Sequence, residues 1–579
     1  MRSFLLPILV FCACVSTSRV PRVDQLSLDE KVGQMFVYAA HGTFMNEESV
    51  SWQQLRRQVV ENKVGGIIWF VSNVYETAFL TRKLQNEARI PLLVSADLEA
   101  GVGMRFTDTT YWPPAMAIAA TGDPSFAEQT GKIAAIEGQA IGVNHILAPV
   151  ADVNIDPDNP VINTRSFGED PETVGRFVAA FVRGVQSEPV LATAKHFPGH
   201  GDTHTDTHRS LPVLAVDRAR LDRVELVPFR AAIGAGVASV MTGHLAIPAL
   251  DPTPAPIRGN AENPYTSDAS EITREGTMPA SLSRPIINDL LRRDLGFDGL
   301  VITDALDMGS LVAHFDAGDA AVRAVEAGTD LILKSANTDA AIAAIKDAVR
   351  SGRISESRID ESVRRILRAK QRVRATPASD DEIFRGVDTT AHRHVASKIA
   401  ERAITLVREE PGALPLRPDA RVVIISVSDF AETTSPVTGV EREVRKRATT
   451  SPITFLIDAR SRIDETTPIL DAAKQADVVL LALAVRVSSG AGHMRLPDAA
   501  RHVVEQLPTA KIVAVSFGSP YVLRDLPSLR TYLCAYGTQP LLQLAAIRAL
   551  YGERPITGTL PVKLVKLGSG LENQPFFHR

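Results

Sequence analysis

At 579 residues the chain is too long for one ordinary domain, and two or three are expected. Its 63 Lys+Arg nearly balance 67 Asp+Glu with no basic run, which excludes a nucleic-acid binder working through a basic surface. Its 37 Gly and 36 Pro are spread along the chain, so no long disordered or fibrous segment is implied.

The N-terminus, "MRSFLLPILVFCACVSTSRVP", sets one Arg before a short apolar run that ends in small residues. This is the pattern of a secretory signal, expected over residues 1–20. The run is shorter than the roughly 20 residues a membrane span needs. Cys14 after Ala13 offers a lipid-attachment site, although Phe11 departs from the Leu such sites usually carry. The expectation is an exported protein: periplasmic, extracellular or lipid-anchored at Cys14. Loss of Cys12 and Cys14 would leave Cys534 alone, so stability must come from packed cores and not from a disulfide.

From Leu26 to Arg374 short, β-branched apolar runs alternate with segments of helical period. Strands are expected at "MFVYA" from Met35, "VGGIIWF" from Val64, "PLLVSAD" from Pro91 and "VNHILAPVAD" from Val143. Four more are expected at "LATAKHF" from Leu191, "SVMTGHL" from Ser239, "LVITDAL" from Leu300 and "DLILK" from Asp330. Between them lie amphipathic stretches such as "SRPIINDLLRRDLG", with Ser283 as N-cap and Gly296 as stop. Eight such units describe an α/β fold, a TIM-like (β/α)8 barrel, over residues 21–375. The runs close on Asp97, Asp152, Lys195 with His196, His244, Asp304 and Lys334. Gathering these on one rim would be costly without a ligand or mutual pairing, so a polar pocket is expected there.

The fifth strand continues into "KHFPGHGDTHTDTHRSLP", Lys195 to Pro212, which holds four of the chain's 13 histidines. A metal site is one reading, with His204, Asp206 and His208 as alternate ligands. Pro198, Gly199 and Gly201 bend the chain away from the extended ribbon such ligands need, and Lys195 would set a cation beside the ion; no metal is expected. A polar lid without chemistry is the bland alternative. The proton-transfer reading needs less. Asp206 and His208, two apart on an irregular loop, can pair so that one ring nitrogen is held and the other donates. Asp304 supplies the other half: the end of a strand pins its carboxylate at the rim, where a helix cap is the alternative. Asp307 competes but lies past the strand end. A fixed carboxylate and a mobile acid fit retaining glycoside cleavage, with a His where the usual pair has a second carboxyl.

"TPASDDEIFRGVDTT" reads as a linker, followed by a helix at "AHRHVASKIAERAITLV"; together they occupy residues 376–411. Continuous apolar strands then resume at "RVVIISVSD", "ITFLID", "ADVVLLALAV", "KIVAVSFGSP" and "YLCAYG". These predict an open, doubly wound α/β sandwich domain over residues 412–579. "SFGSP" reads as a strand-to-helix turn, with a ligand loop as the alternative; no Walker or dinucleotide glycine pattern occurs, so no nucleotide, nicotinamide or flavin cofactor is expected.

With these residues in hand, the chain resembles glycoside hydrolase family 3, in its β-N-acetylhexosaminidase branch. "KHFPGHGDTHTDTH" is similar to that branch's signature loop and "LGFDGLVITDALDM" to the family's nucleophile segment. "LAPVADVNIDPDNPVINTRSFGEDP" and "MPASLSRPIINDLLR" match as well, and the C-terminal part looks like the family's optional α/β sandwich. The resemblance implies Asp304 as nucleophile and His208 as general acid/base, oriented by Asp206. It implies Asp97, Arg105, Arg165, Lys195 and His196 as the groups that hold the terminal sugar. It implies an exo-acting β-N-acetylglucosaminidase on muropeptide or chitin-derived fragments, with a carbohydrate as partner and no nucleic acid. One departure stands out: the family usually has Asp-(Gln/His)-Glu-Gly-Gly-Arg-Val where this chain has "DLEAGVG" from Asp97, which puts the loop's shape in question. Phosphorolysis on the same scaffold, a β-glucosidase or xylosidase, a metal-dependent hydrolase and a binding-only protein are the competing readings.

Overall fold

The computed structural model describes residues 20–256, 276–487 and 494–564. Residues 1–19 of the expected signal segment, with Cys12 and Cys14, lie outside the described residues. Eight parallel strands form the first sheet: β1 (Phe36–Ala40), β2 (Gly66–Trp69), β3 (Leu93–Ala96), β4 (His145–Ile146), β5 (Leu191–Phe197), β6 (Ser239–Thr242), β7 (Leu300–Thr303) and β8 (Ile332–Leu333). Each pairs with its sequence neighbour, and β1 pairs back with β8 at Phe36↔Ile332. A parallel bridge at Ile302↔Leu331 joins β7 to β8 and closes the barrel. The strands alternate with helices and share one apolar core, so the carboxyl ends of all eight open on one rim.

β4 is two residues long, whereas "VNHILAPVAD" predicted a long strand. Pro149 has no N–H to give a ladder, and from there the backbone continues irregularly with only an isolated bridge of Val150 to Lys195. The expected helix after Ser283 forms over Pro285–Asp294 with wide turns, such as Leu295 N to Leu290 O, and Ser283 Oγ accepts from Ile286 N. The stretch expected as linker holds a helix at Asp380–Gly386. Ser379 and Glu382 close a capping box on it, a pattern legible as S-x-x-E.

The second sheet comprises β9 (Thr405–Arg408), β10 (Val422–Ser428), β11 (Ile453–Ile457), β12 (Val478–Ala484), β13 (Ile512–Ser516) and β14 (Thr531–Cys534). Its order is β11-β10-β12-β13-β14-β9, parallel except for β9 on β14. The "ITLV" end of the expected helix forms β9 instead: the helix stops at Ala403, and β-branched Ile404 and Thr405 continue extended. Apolar runs in β10, β12 and β13 are buried on both faces, as an open parallel sheet requires. The chain is thus a (β/α)8 barrel followed by an open α/β unit with its own core.

The two units lock together at the barrel's mouth. Helix Ala115–Ala120 of the barrel inserts Met116, Ala117 and Ala120 into the second core. The loops after β13 and β14 face the loops after β4 and β3. Asn154 Nδ2 donates to the Tyr521 hydroxyl at 3.0 Å, and Arg524 Nη1 to Asp158 Oδ1 at 3.0 Å.

Candidate active site

The loop after β3 builds one wall of the rim. Gly101 takes φ +70°, and a Cβ there would sit 2.7 Å from the Trp112 ring, so the position admits glycine only. Val102, at the family's usual Arg, is buried and starts a single tight turn, Val102–Met104. That turn brings Arg105 back to Asp97, with Nη2 to Oδ2 at 2.6 Å. Lys195 Nζ, from β5, bridges Asp97 Oδ1 and Glu99 Oε1, each at 2.7 Å. Arg165 grips Glu99 with two bonds, Nε to Oε2 at 2.9 Å and Nη2 to Oε1 at 2.8 Å. Two carboxylates thus face three cations. Burial alone would raise the Asp97 carboxyl, but the charges of Lys195 and Arg105 outweigh it and hold the group at about 2. Glu99 is likewise held well below its usual range by Arg165 and Lys195 against burial.

The expected clamp residues Asp97, Arg105, Arg165 and Lys195 therefore assemble, but through Glu99, a residue that the strand-end pattern does not mark. Arg105 and Lys334 both lie over the Phe70 ring, at 5.4 and 5.1 Å from its centroid, which fixes the rim on the β1–β2 side. His196 is held from behind: its Nδ1 donates to the buried Asp152 at 2.7 Å, and Asp152 also accepts from the backbone N–H of His196 and of His200.

The four histidines of the signature loop take four different environments. His200 is buried between Thr203 and Thr207, and burial pushes its imidazole down to about 4, so it is a neutral structural group. His204 has an 82% exposed side chain and meets Asp156 at 2.5 Å. The ligand set His204, Asp206 and His208 is not assembled, and no group of three or more His, Cys, Asp or Glu suited to a metal occurs among the described residues. His208 Nδ1 donates to the buried Asp206 at 2.8 Å, and its backbone N–H donates to the same oxygen. That leaves Nε2 as the ring's other polar atom.

Asp304 follows β7 directly, and its Oδ1 accepts from Ala305 N at 2.7 Å. Burial tends to raise this carboxyl, yet His196, His244 and His208 around it lower it overall. Its carboxylate thus lies within electrostatic reach of the signature loop's His196 and His208. The two segments are stitched by backbone bonds: Gly309 N donates to His208 O at 3.2 Å and Ser310 N to Thr207 O at 3.1 Å. His244 lies beneath, its Nε2 donating to Ala305 O at 2.9 Å while its Nδ1 accepts from Ser281; burial lowers its basicity. Asp307 is paired with Lys334 at 2.9 Å and turned to the β8 side. A fixed carboxylate, an imidazole backed by a carboxylate and a charged clamp on one rim can hold a polyol and exchange a glycosyl group.

Residues 27–369 match the Glycosyl hydrolase family 3 N terminal domain. Over 554 residues the chain is 30% identical to a beta-N-acetylglucosaminidase/beta-glucosidase from Cellulomonas fimi, covering 93% of this chain and 94% of that one. The solved structure of a glycoside hydrolase family 3 beta-N-acetylglucosaminidase from Paenibacillus sp. str. FPU-7 superposes with a TM-score of 0.79 at 34% identity, covering 93% of this chain and 99% of that one. A beta-glucoside phosphorylase superposes with a TM-score of 0.81 at 27% identity, covering 94% and 95%.

Proposed function

The chain belongs to glycosyl hydrolase family 3, and from that premise we propose that it is a retaining exo-β-N-acetylglucosaminidase. Its substrates are chitin-derived oligosaccharides or muropeptide fragments with a terminal, non-reducing N-acetyl-β-hexosamine. The observation that supports the reading is that Asp304 lies within electrostatic reach of His208, which Asp206 backs, in segments joined by the two backbone bonds from residues 309 and 310.

In the first step the Asp304 carboxylate attacks the anomeric carbon while His208, protonated, gives its Nε2 proton to the departing glycosidic oxygen. A glycosyl ester of Asp304 results. In the second step neutral His208 takes a proton from water as that water attacks the same carbon, and the Asp304 carboxylate leaves. Asp206 keeps the ring oriented through both steps. Asp97, Arg105, Lys195, Arg165 and His196 give charge-assisted bonds to the sugar's hydroxyls.

Aryl β-glycosides assayed with and without chelator, and with and without phosphate, test this. Turnover of the N-acetylglucosaminide, indifferent to both additions, is the expected result. Preference for the glucoside would move the chain to another branch. Loss of activity with chelator would favour a metal-dependent hydrolase, and binding without turnover a lectin-like role. The likeness to a phosphorylase favours one second reading, in which phosphate replaces water as acceptor; a glycosyl phosphate product would establish it. The N-terminal run supports export, and cell fractionation of wild type against Cys14→Ser tests both secretion and lipid attachment.

A further inference from the structure

The signature loop does not stand alone, for its first half lies on the loop after β4. Gly201 O accepts from Ile155 N at 3.1 Å and from Asp156 N at 3.0 Å, and His200 O accepts from Asn159 Nδ2 at 2.8 Å. A Cβ on Gly201 would lie 1.7 Å from Val153 O, so the two backbones are in direct contact. His204 adds its side-chain contact with Asp156, and two residues further on Asp206 begins the pair that orients His208.

The β4 loop is in turn held by the second unit from two directions, and both converge on Asn154. Its fully buried side chain donates through Nδ2 to the Tyr521 hydroxyl at 3.0 Å. Tyr521 is itself buried in the tight turn Pro520–Arg524 after β13, where Ser519 Oγ accepts from its backbone N–H. From the other direction, Asn154 N donates to Gly168 O at 2.9 Å, and residues 561–563 cross back from the second unit onto that point. Glu169 N donates to Pro561 O at 3.3 Å and Lys563 N to Glu169 Oε2 at 2.8 Å. A Cβ on Gly168 would lie 2.5 Å from Pro561 O, so this strap rests on the loop's backbone.

We propose that the second unit buttresses the acid/base loop, with Tyr521 and Asn154 as positioning residues that set the reach of His208 through the β4 loop and Gly201. This rests on the reading of His208 as proton donor. Proton transfer needs the donor within hydrogen-bond reach of the leaving oxygen, and small misplacements are costly. Asp304 is anchored directly at the end of β7, whereas His208 sits on an irregular loop whose place depends on what that loop lies against. Removing the Tyr521 oxygen leaves the buried Asn154 amide without that acceptor, and the β4 loop must shift to satisfy it. Loosening the seam therefore impairs proton donation and leaves the attack by Asp304 in place.

The test uses the full chain and two substrates of similar shape, the phenyl and dinitrophenyl N-acetyl-β-glucosaminides, of which only the first needs a proton on its leaving oxygen. Tyr521→Phe and Asn154→Ala are each measured alone and combined with His208→Ala, with thermal midpoints recorded; either single variant that stays folded decides the matter. Each is expected to lose about tenfold in kcat/KM on the phenyl glycoside and little on the dinitrophenyl one. In the His208→Ala background neither substitution is expected to lower the phenyl rate further, because the proton donor they position is gone. Equal losses on both glycosides, wild-type kinetics on both, or a tenfold loss that persists without His208 would overturn the buttress. His208→Ala losing equally on the two glycosides would instead sink the acid role on which the proposal rests.

Discussion

His208 holds Asp206 through Nδ1, so Nε2 is the nitrogen that would protonate a leaving oxygen. Removing it therefore matters in proportion to how much the leaving group needs the proton. His208→Ala is expected to lower kcat/KM about 10²- to 10⁴-fold on a disaccharide, and far less on an activated aryl glycoside. Equal losses on both would remove His208 from the acid role. Glu99 makes a different prediction, because it neutralises two cations at once. Glu99→Gln leaves Arg165 and Lys195 with Asp97 as the remaining carboxylate of the clamp. Breaking a buried pair this way costs about 3–5 kcal/mol, to be read as a lowered urea midpoint together with a raised KM. Asp304, Lys195 and Asp97 were legible in the sequence because an ionisable side chain ending a buried run can go only to the rim. Glu99 was not, since a residue two past the strand turns inward or outward as the loop dictates. That depends on Gly101 meeting Trp112, a contact no local pattern announces.

Among the elements, the β3 loop shows how a departure from a family pattern is absorbed. Val102 stands where the family usually has Arg, and the loop turns it into the core, so the tight turn survives and Arg105 still reaches Asp97. What holds that turn is Gly101, and Gly101→Ala would bring a methyl against Trp112 at a φ that L-residues avoid. The expected result is a loss of about 1–3 kcal/mol in stability with a raised KM, because Arg105 shifts with the turn. Wild-type stability with wild-type KM would show that the loop relaxes without moving the clamp. The signature loop was legible for its Asp206–His208 pair, since residues two apart on a bend can always meet. The partners of His200 and His204 were not legible, because Thr203, Thr207 and Asp156 become neighbours only once the loop has folded. Likewise β4 is shorter than its composition predicts: its residues have strand character, but Pro149 interrupts the ladder.

Across the whole molecule, burial governs both the architecture and the pH dependence of stability. Alternation of apolar runs foretold the barrel and the open sheet, because burial on both faces leaves no other periodicity. The seam between them was not foretold, since it rests on single contacts such as Asn154 to Tyr521. At the end of the barrel away from the rim, Lys370 is buried with Gln34 Oε1 as its hydrogen-bond acceptor at 2.6 Å, and Gln34 in turn donates to Lys63 O. Burial with no opposing carboxylate pushes its amine down to about 7. The unfolded chain keeps the ordinary value of 10.5, so between 7 and 10.5 it binds more protons than the folded one. Stability therefore rises as pH climbs through that window, and below 7 the full penalty, on the order of a few kcal/mol, is carried. Lys370→Met keeps the length of the side chain and removes the charge. It is expected to raise the urea midpoint at neutral pH and to flatten the slope between pH 7 and 10, while kcat/KM at the distant rim stays as in wild type. A variant whose slope matches wild type would mean that Lys370 is charged in the folded protein and that water reaches it.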